Sequence, residues 1–191
     1  MKTRYNTPII IIAGGKSSRM GKDKALLPFG SQASLAQFQY QRLSRIFSKV
    51  YLSAKYHKFD FDCEVIEDKY EESSPLVALL SIFETLNVQE IFVLSVDTPF
   101  VDEKVIHKLF ERDEEDFDII VAKNNNRLQP LCAIYRRSLL PLLQKHYQEK
   151  NHKLHHLLKN AKTKIVHFND EKAFMNLNYF EDYEKALKVQ I

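Results

Sequence analysis

Glycine is confined to one short region of this 191-residue chain. All four glycines lie between positions 14 and 30, and three of them fall within Ala13-Gly14-Gly15-Lys16-Ser17-Ser18-Arg19-Met20-Gly21. Every other turn must be closed by residues that reach left-handed backbone conformations only at a cost. The glycines therefore mark a place where backbone must come close to something else. The run Pro8-Ile9-Ile10-Ile11-Ile12 before them has the pattern of a strand buried on both faces. Lys16, Arg19, Lys22 and Lys24 crowd into the following nine residues. Glycine lets backbone amides approach an anion, and the bases neutralise it, so the stretch reads as a binding site for a phosphate-rich ligand. It is not a Walker loop, which ends in Gly-Lys-Ser/Thr, and it lacks the Gly-x-Gly-x-x-Gly of dinucleotide sites.

Composition narrows the class. A hydrophobic content of 45% with 28% charged residues fits a soluble globular protein, and no Pro-, Ser- or charge-rich segment divides the chain. One domain over residues 1–191 is expected. The net charge of +3 is modest, and its bases do not form the single basic face of a nucleic-acid binder. The N-terminal apolar run is too short for a secretory signal, and no run approaches the roughly 18 residues of a membrane span, so a cytoplasmic protein without nucleic-acid or membrane partners is expected. Cys63 and Cys132 have no Cys-x-x-Cys partner and read as small buried hydrophobes.

Periodicity predicts strands at 8–13, 50–54, 65–66 and 91–96, alternating with helices at 35–47, 75–86 and 102–112. Fully apolar strands alternating with amphipathic helices predict a parallel sheet covered on both faces. The rhythm then changes: a hairpin is predicted around Asn124-Asn125-Asn126-Arg127, joining strands at 119–122 and 131–135. Helices at 138–149 and 153–159, a strand at 164–168 and a helix at 180–188 follow. The expected fold is an α/β, Rossmann-like three-layer sandwich whose mostly parallel central sheet has an antiparallel edge.

Ligands of such sheets bind beyond the carboxyl ends of the strands. Those ends carry the glycine stretch, Ser53-Ala54, Glu67-Asp68 and Asp97-Thr98-Pro99. A carboxylate ending a buried strand beside a polyphosphate site suits Mg²⁺, which uses one or two carboxylates together with phosphate oxygens. Asp97 is the expected ligand. Asn176 and Asn178 would share one side if their segment is extended, completing a polar site or bonding their own backbone. His152, His155 and His156 have helical spacing but no metalloprotease pattern, and read as solvated or anion-facing surface.

From Ala13 to Lys24 the chain reads Ala-Gly-Gly-x-Ser-x-Arg-Met-Gly-x-Asp-Lys, which resembles the signature of the molybdenum cofactor guanylyltransferases, members of the nucleotidyltransferase superfamily. Asp97-Thr98-Pro99, Gln129-Pro130-Leu131-Cys132-Ala133 and Asn176-Leu177-Asn178 extend the resemblance, in order, over almost the whole chain. It implies the nucleotide-diphospho-sugar transferase type of fold, with a nucleotide-binding half at about 1–110 and an acceptor-binding half at about 111–191. It implies transfer of GMP from GTP to the terminal phosphate of molybdenum-bearing molybdopterin, with release of pyrophosphate. Ile12, Ala13, Gly14 and Gly15 would line the nucleotide, Lys24 would meet phosphate, Ser53 and Asp68 would contact the nucleotide, and Asp97 would hold Mg²⁺. Arg19 and Lys24 would stabilise the leaving pyrophosphate, Asn176 and Asn178 would complete the site, and molybdenum-insertion and molybdoenzyme-maturation proteins are the implied partners.

Two departures bear on specificity. The family commonly has Asn where Ser53 stands. Its Gly-Pro-Leu-x-Gly segment facing the guanine is Ser74-Pro75-Leu76-Val77-Ala78 here, without either glycine. A cytidylyltransferase, a sugar-phosphate nucleotidyltransferase and a nucleotide-binding protein without turnover therefore stand as alternatives. A glycosyltransferase fits less well, because Asp97-Thr98-Pro99 carries one acid where many have Asp-x-Asp.

Overall fold

The computed structural model describes residues 4–14 and 23–189. Its centre is a seven-stranded sheet of β1 (Ile9–Ile12), β2 (Val50–Ala54), β3 (Glu64–Glu67), β4 (Glu90–Ser95), β5 (Ile119–Asn124), β6 (Arg127–Arg136) and β7 (Thr163–Phe168), in the order β3-β2-β1-β4-β6-β5-β7. The first four strands run parallel. Only β6 is reversed, being antiparallel to both β4 and β5, while β7 is parallel to β5.

The expected antiparallel edge is thus corrected: β6 lies inside the sheet. Its Cys132-Ala133-Ile134-Tyr135 is buried on both faces, which an edge position would leave half uncovered. The hairpin that returns it turns at Asn125, whose φ of 51° lies in a region asparagine tolerates better than most residues. The turn therefore closes without glycine. Gly30 is used differently: its φ is +57°, inside the small turn bridged by Phe29 and Gln32, and a Cβ there would meet the Phe38 ring at 3.5 Å.

Alternation within the strands builds the two cores. Ile9 and Ile11 face α1 (Leu35–Leu43), α3 (Glu103–Glu111) and α6 (Phe180–Lys188). Ile10 and Ile12 face α2 (Pro75–Thr85), α4 (Leu140–Gln148) and α5 (Leu154–Asn160). Local signals set the helix starts. Ser34, Ser74 and Asp102 accept hydrogen bonds from first-turn amides, and Pro75 occupies the first helical turn. The helix expected to run to position 47 ends at Leu43, where the Ser44 hydroxyl donates to the Tyr40 carbonyl at 2.8 Å and the chain turns so that Phe47 bridges to Tyr5. Among the described residues no helix is long and apolar enough to cross a membrane.

Candidate functional site

The strand order locates the site. From β1 the chain moves to β2 and β3 on one side, then α2 carries it back to β4 on the other. Connections leaving β1 and β4 diverge, and such a switch point opens a crevice beyond the strand ends. There Ile12 is in register with Ser53 on one side and Ser95 on the other, so the three span about 10 Å at normal strand spacing.

On the α2 face of this crevice lies a cleft of about 210 Å³. Ile12, Gly14 and Ser53 come from the strand ends, Asp68 and Ser73 from the loop after β3, and Ser74, Pro75 and Ala78 from α2. It is smaller than the roughly 300–1,000 Å³ of sites that enclose a whole small ligand, so it suits one moiety of a larger molecule. Six residues expected from the sequence line it: Ile12, Gly14, Ser53, Asp68, Ser74 and Pro75. Two others do not. Leu76 is buried in the core under α2, and the Ala13 methyl is buried on the opposite face, so Ala13 can serve a ligand only through its backbone.

Asp68 is the most telling group. Its backbone N–H donates to the Ala54 carbonyl at 3.0 Å, and the next amide, of Lys69, donates to the hydroxyl of fully buried Ser81 at 3.0 Å. These bonds fix the backbone at Asp68, while its carboxylate Oδ1 is buried and accepts no hydrogen bond among the described residues. Burial pushes its pKa above the ordinary carboxylate value, with the charge of Lys55 opposing. A buried acceptor without a donor, in a cleft of this size, suits a ligand N–H or O–H. Lys55 also donates to the Glu71 carbonyl at 2.9 Å, tying β2 to the loop that carries Ser73. Ser74 extends with φ −156° and turns its hydroxyl back to cap α2, accepting from the Val77 amide at 3.2 Å.

The charged centre lies across β1. Asp97, just past β4, accepts from the Ser95 hydroxyl at 2.5 Å through Oδ1 and from the Lys24 ammonium through Oδ2. Lys24 starts a one-turn 3-10 helix, Lys24–Leu26, capped by Asp23, and also donates to the Leu177 carbonyl at 3.2 Å. The Leu177 amide in turn donates to the Asp97 carbonyl at 3.0 Å. Three distant parts of the chain are thus knotted at one point. Gly15 and Arg19 lie outside the described residues.

Asn176 and Asn178 flank that knot, but their segment is not extended. The Asn178 amide donates to the Asn176 carbonyl at 3.0 Å, closing a three-residue turn, and the Asn176 side chain donates to the Phe174 carbonyl at 3.4 Å. Competition from local backbone bonds explains the difference. Away from the site, His155 and His156 are exposed and the His152 ring stacks on Tyr147. Burial pushes the Cys132 thiol up to about 12, which disfavours the nucleophilic thiolate.

Among the described residues no cluster of three or more His, Cys, Asp or Glu side chains could hold a metal alone. A single carboxylate nevertheless fits Mg²⁺ where phosphate oxygens of a ligand and water supply the remaining positions. Asp97 keeps lone pairs for that role beyond the two it shares with Ser95 and Lys24.

Three residues of the site were not singled out in the sequence. Ser95 carried a weak signal, a hydroxyl ending an apolar strand two positions before the acid. Gln39 carried another, an amide three residues from Ala36 and four from Leu43 on the core side of a helix. Gln39 is 0% exposed and donates to the Val96 carbonyl at 3.2 Å, which holds the segment leading into Asp97. Lys58 had no signal, because its partners are 45 and 35 positions away.

The chain is also similar to known proteins. Residues 9–165 match the family model described as the MobA-like NTP transferase domain. The molybdenum cofactor guanylyltransferase of Campylobacter jejuni is 42% identical over 178 residues, covering 92% of this chain and 93% of its own. The molybdopterin-guanine dinucleotide biosynthesis protein A of Archaeoglobus fulgidus superimposes with a TM-score of 0.82 at 18% identity, covering 96% of this chain and 98% of that one. A Mycobacterium tuberculosis protein solved in complex with manganese has a TM-score of 0.66 at 14% identity, over 97% of this chain and 100% of that one.

Proposed function

We propose that this chain, which belongs to the MobA-like NTP transferase family, transfers GMP from GTP to the terminal phosphate of molybdenum-bearing molybdopterin and releases pyrophosphate. The observation that carries the reading is the Lys24 and Asp97 pair at the switch point, one strand away from a cleft whose buried Asp68 oxygen awaits a donor. The name of the Campylobacter jejuni relative supports the choice of substrates.

In this reading the cleft takes the guanosine part of GTP, with Asp68 accepting from the base or ribose and Ser53 lining the floor. The phosphates run from Gly14 toward Lys24. An oxygen of the acceptor phosphate bonds to the α-phosphorus of GTP, the bond from that phosphorus to the bridging oxygen breaks, and pyrophosphate leaves with the electron pair. A phosphate monoester is already largely ionised near pH 7, since its second pKa is about 6, so the site needs no strong base. Its residues orient two anions and offset their repulsion. Lys24 brings positive charge to the phosphates, and Arg19 shares that role on sequence grounds. Mg²⁺ held by Asp97 would supply further charge neutralisation at the transferred phosphate. That metal assignment draws on the one-carboxylate donor set and on the manganese complex of the Mycobacterium tuberculosis protein.

Residues from about 111 onward form the acceptor side. Leu94 is in register with Cys132, so Gln129, Pro130 and Leu131 run beside the end of β4, near Asp97, and the turn at Asn176 to Asn178 closes the same region. The reaction belongs in the cytoplasm, after proteins that insert molybdenum and before those that mature molybdoenzymes.

The test is pyrophosphate release with Mg²⁺ and each nucleoside triphosphate, with and without molybdenum-loaded molybdopterin. Release with GTP only when acceptor is present is the expected result. Release with CTP instead would assign the other base, and no release with any nucleotide would overturn the reading.

A further inference from the structure

Lys58 stands in the stretch between β2 and β3, and its ammonium reaches both ends of the glycine-rich segment. It donates to the Ala13 carbonyl at 2.9 Å and to the Asp23 carboxylate. Ala13 directly precedes Gly14, and Asp23 directly precedes Lys24. The side chain is only 11% exposed, and its ammonium lies 5.7 Å from the centroid of the Phe59 ring. A surface lysine does not sit this way. Lysine loses much rotamer freedom on ordering, so a buried, doubly bonded ammonium must gain correspondingly from its partners.

Asp23 uses its two oxygens for different purposes. Oδ1 accepts from the Ala25 amide at 3.1 Å, capping the turn that starts with Lys24. Oδ2 takes Lys58. Ala13 is held from the other side as well, because its amide donates to the Ser53 carbonyl at 2.9 Å. Lys58 therefore connects the exit of β1 to the cap of the turn that aims Lys24 at Asp97.

We propose that Lys58 is a positioning residue for nucleotidyl transfer: it fastens Ala13 to Asp23 and so sets where Lys24 meets the nucleotide phosphates. The inference rests on reading the segment as the phosphate site of GTP. It assigns Lys58 no contact with substrate.

The experiment compares wild type with Lys58→Met, Lys58→Arg, Asp23→Asn and the Lys58→Met/Asp23→Asn double variant. GTP affinity is measured by calorimetry without acceptor, kcat and KM by pyrophosphate release, and thermal midpoint on each sample. Supporting groups of this kind typically contribute 10 to 100-fold, so Lys58→Met should weaken GTP binding or slow turnover by at least about tenfold. Lys58→Arg should recover most of the loss, because it restores a cation that can reach both acceptors. The double variant should be no worse than Asp23→Asn alone, since both substitutions break one linkage. A lowered midpoint with unchanged GTP affinity and kcat in Lys58→Met and Asp23→Asn would overturn the proposal, leaving Lys58 a structural staple. Additive losses in the double variant would also overturn it. Wild-type protein that binds no nucleoside triphosphate would overturn both this inference and the reading beneath it.

Discussion

Gln39→Leu tests whether the segment that carries Asp97 is held from behind by a buried amide. Gln39 is 0% exposed. Its amide donates to the Val96 carbonyl at 3.2 Å and more weakly to the Ser95 carbonyl at 3.4 Å, and its oxygen accepts from Arg42 Nε at 2.6 Å. Leucine removes all three. The Ser95 carbonyl survives, because the Thr98 hydroxyl still donates to it at 2.8 Å. The Val96 carbonyl is left buried without a donor, and Arg42 loses an acceptor while its Nη2 is already unpaired among the described residues. Arg42 keeps one bond, to the Val101 carbonyl at 2.8 Å. Burial already pulls this guanidinium down to about 10, so it has little slack for further loss. Each orphaned group costs about 1–3 kcal/mol, and the apolar side chain returns roughly 1 kcal/mol, giving a net loss of about 3 kcal/mol. For a domain of this size that lowers the thermal midpoint by about 6–12 °C. Because the freed carbonyl adjoins Asp97, kcat should fall while KM for GTP changes little. Differential scanning fluorimetry and pyrophosphate release measure the two effects. A midpoint within about 2 °C of wild type, with kcat unchanged, would refute the reasoning.

Other perturbations separate the parts of the site. Asp68→Asn should weaken GTP binding yet stabilise the protein at pH 7: the folded pKa lies above its ordinary 3.8, so folding favours the protonated form, and stability is lost as pH rises through that window. The gain in thermal midpoint should therefore shrink below about pH 4, and a variant less stable than wild type at pH 7 would sink the account. Asp97→Asn should cut turnover by at least about a hundredfold while the fold persists, because Lys24 keeps the Leu177 carbonyl; metal-dependent turnover near the wild-type rate would remove Asp97 from the centre. Ser74→Ala should cost about 1 kcal/mol through the lost cap, whereas Ser74→Gly should cost only a few tenths, and equal unfolding midpoints in urea for the two variants would contradict the capping role.

Much of the fold was legible because its strands are short, apolar and separated by capped helices. Ile9 to Ile12 could hardly be anything but a doubly covered strand, and Ser74-Pro75 announces a helix start. The hairpin at Asn125 was legible too, but the place of its second strand was not. Nothing local in Arg127 to Arg136 says which neighbour it joins, and only the burial of both faces of Cys132 to Tyr135 places it inside the sheet. The site divides in the same way. Asp68, Ser74 and Asp97 stand where strands or helices end, which periodicity finds. Lys58 and Gln39 act through partners from 35 to 57 positions away, a relation the sequence expresses only after folding. Leu76 shows the converse error. It shares a motif with residues that line the cleft, but its position in the first turn of α2 turns it into the core.

The two glycines missing from the segment before and within α2 have different physical consequences. At position 74 the backbone is extended, with φ −156° and ψ 160°, a conformation any residue adopts, so glycine is not needed for the turn. The serine that replaces it bends its hydroxyl onto the Val77 amide, drawing the added atoms toward the helix and away from the ligand. At position 78 the replacement lies inside α2, where alanine is about 1 kcal/mol more favourable than glycine. Its methyl has no such retreat and forms part of the cleft wall, which Ile12 and Gly14 also line. The helix thus becomes firmer and the cleft narrower by one methyl group. On the reading that the cleft takes the base, Ala78 is the side chain whose added volume bears on base choice, while Ser74 acts through the stiffness of the helix start.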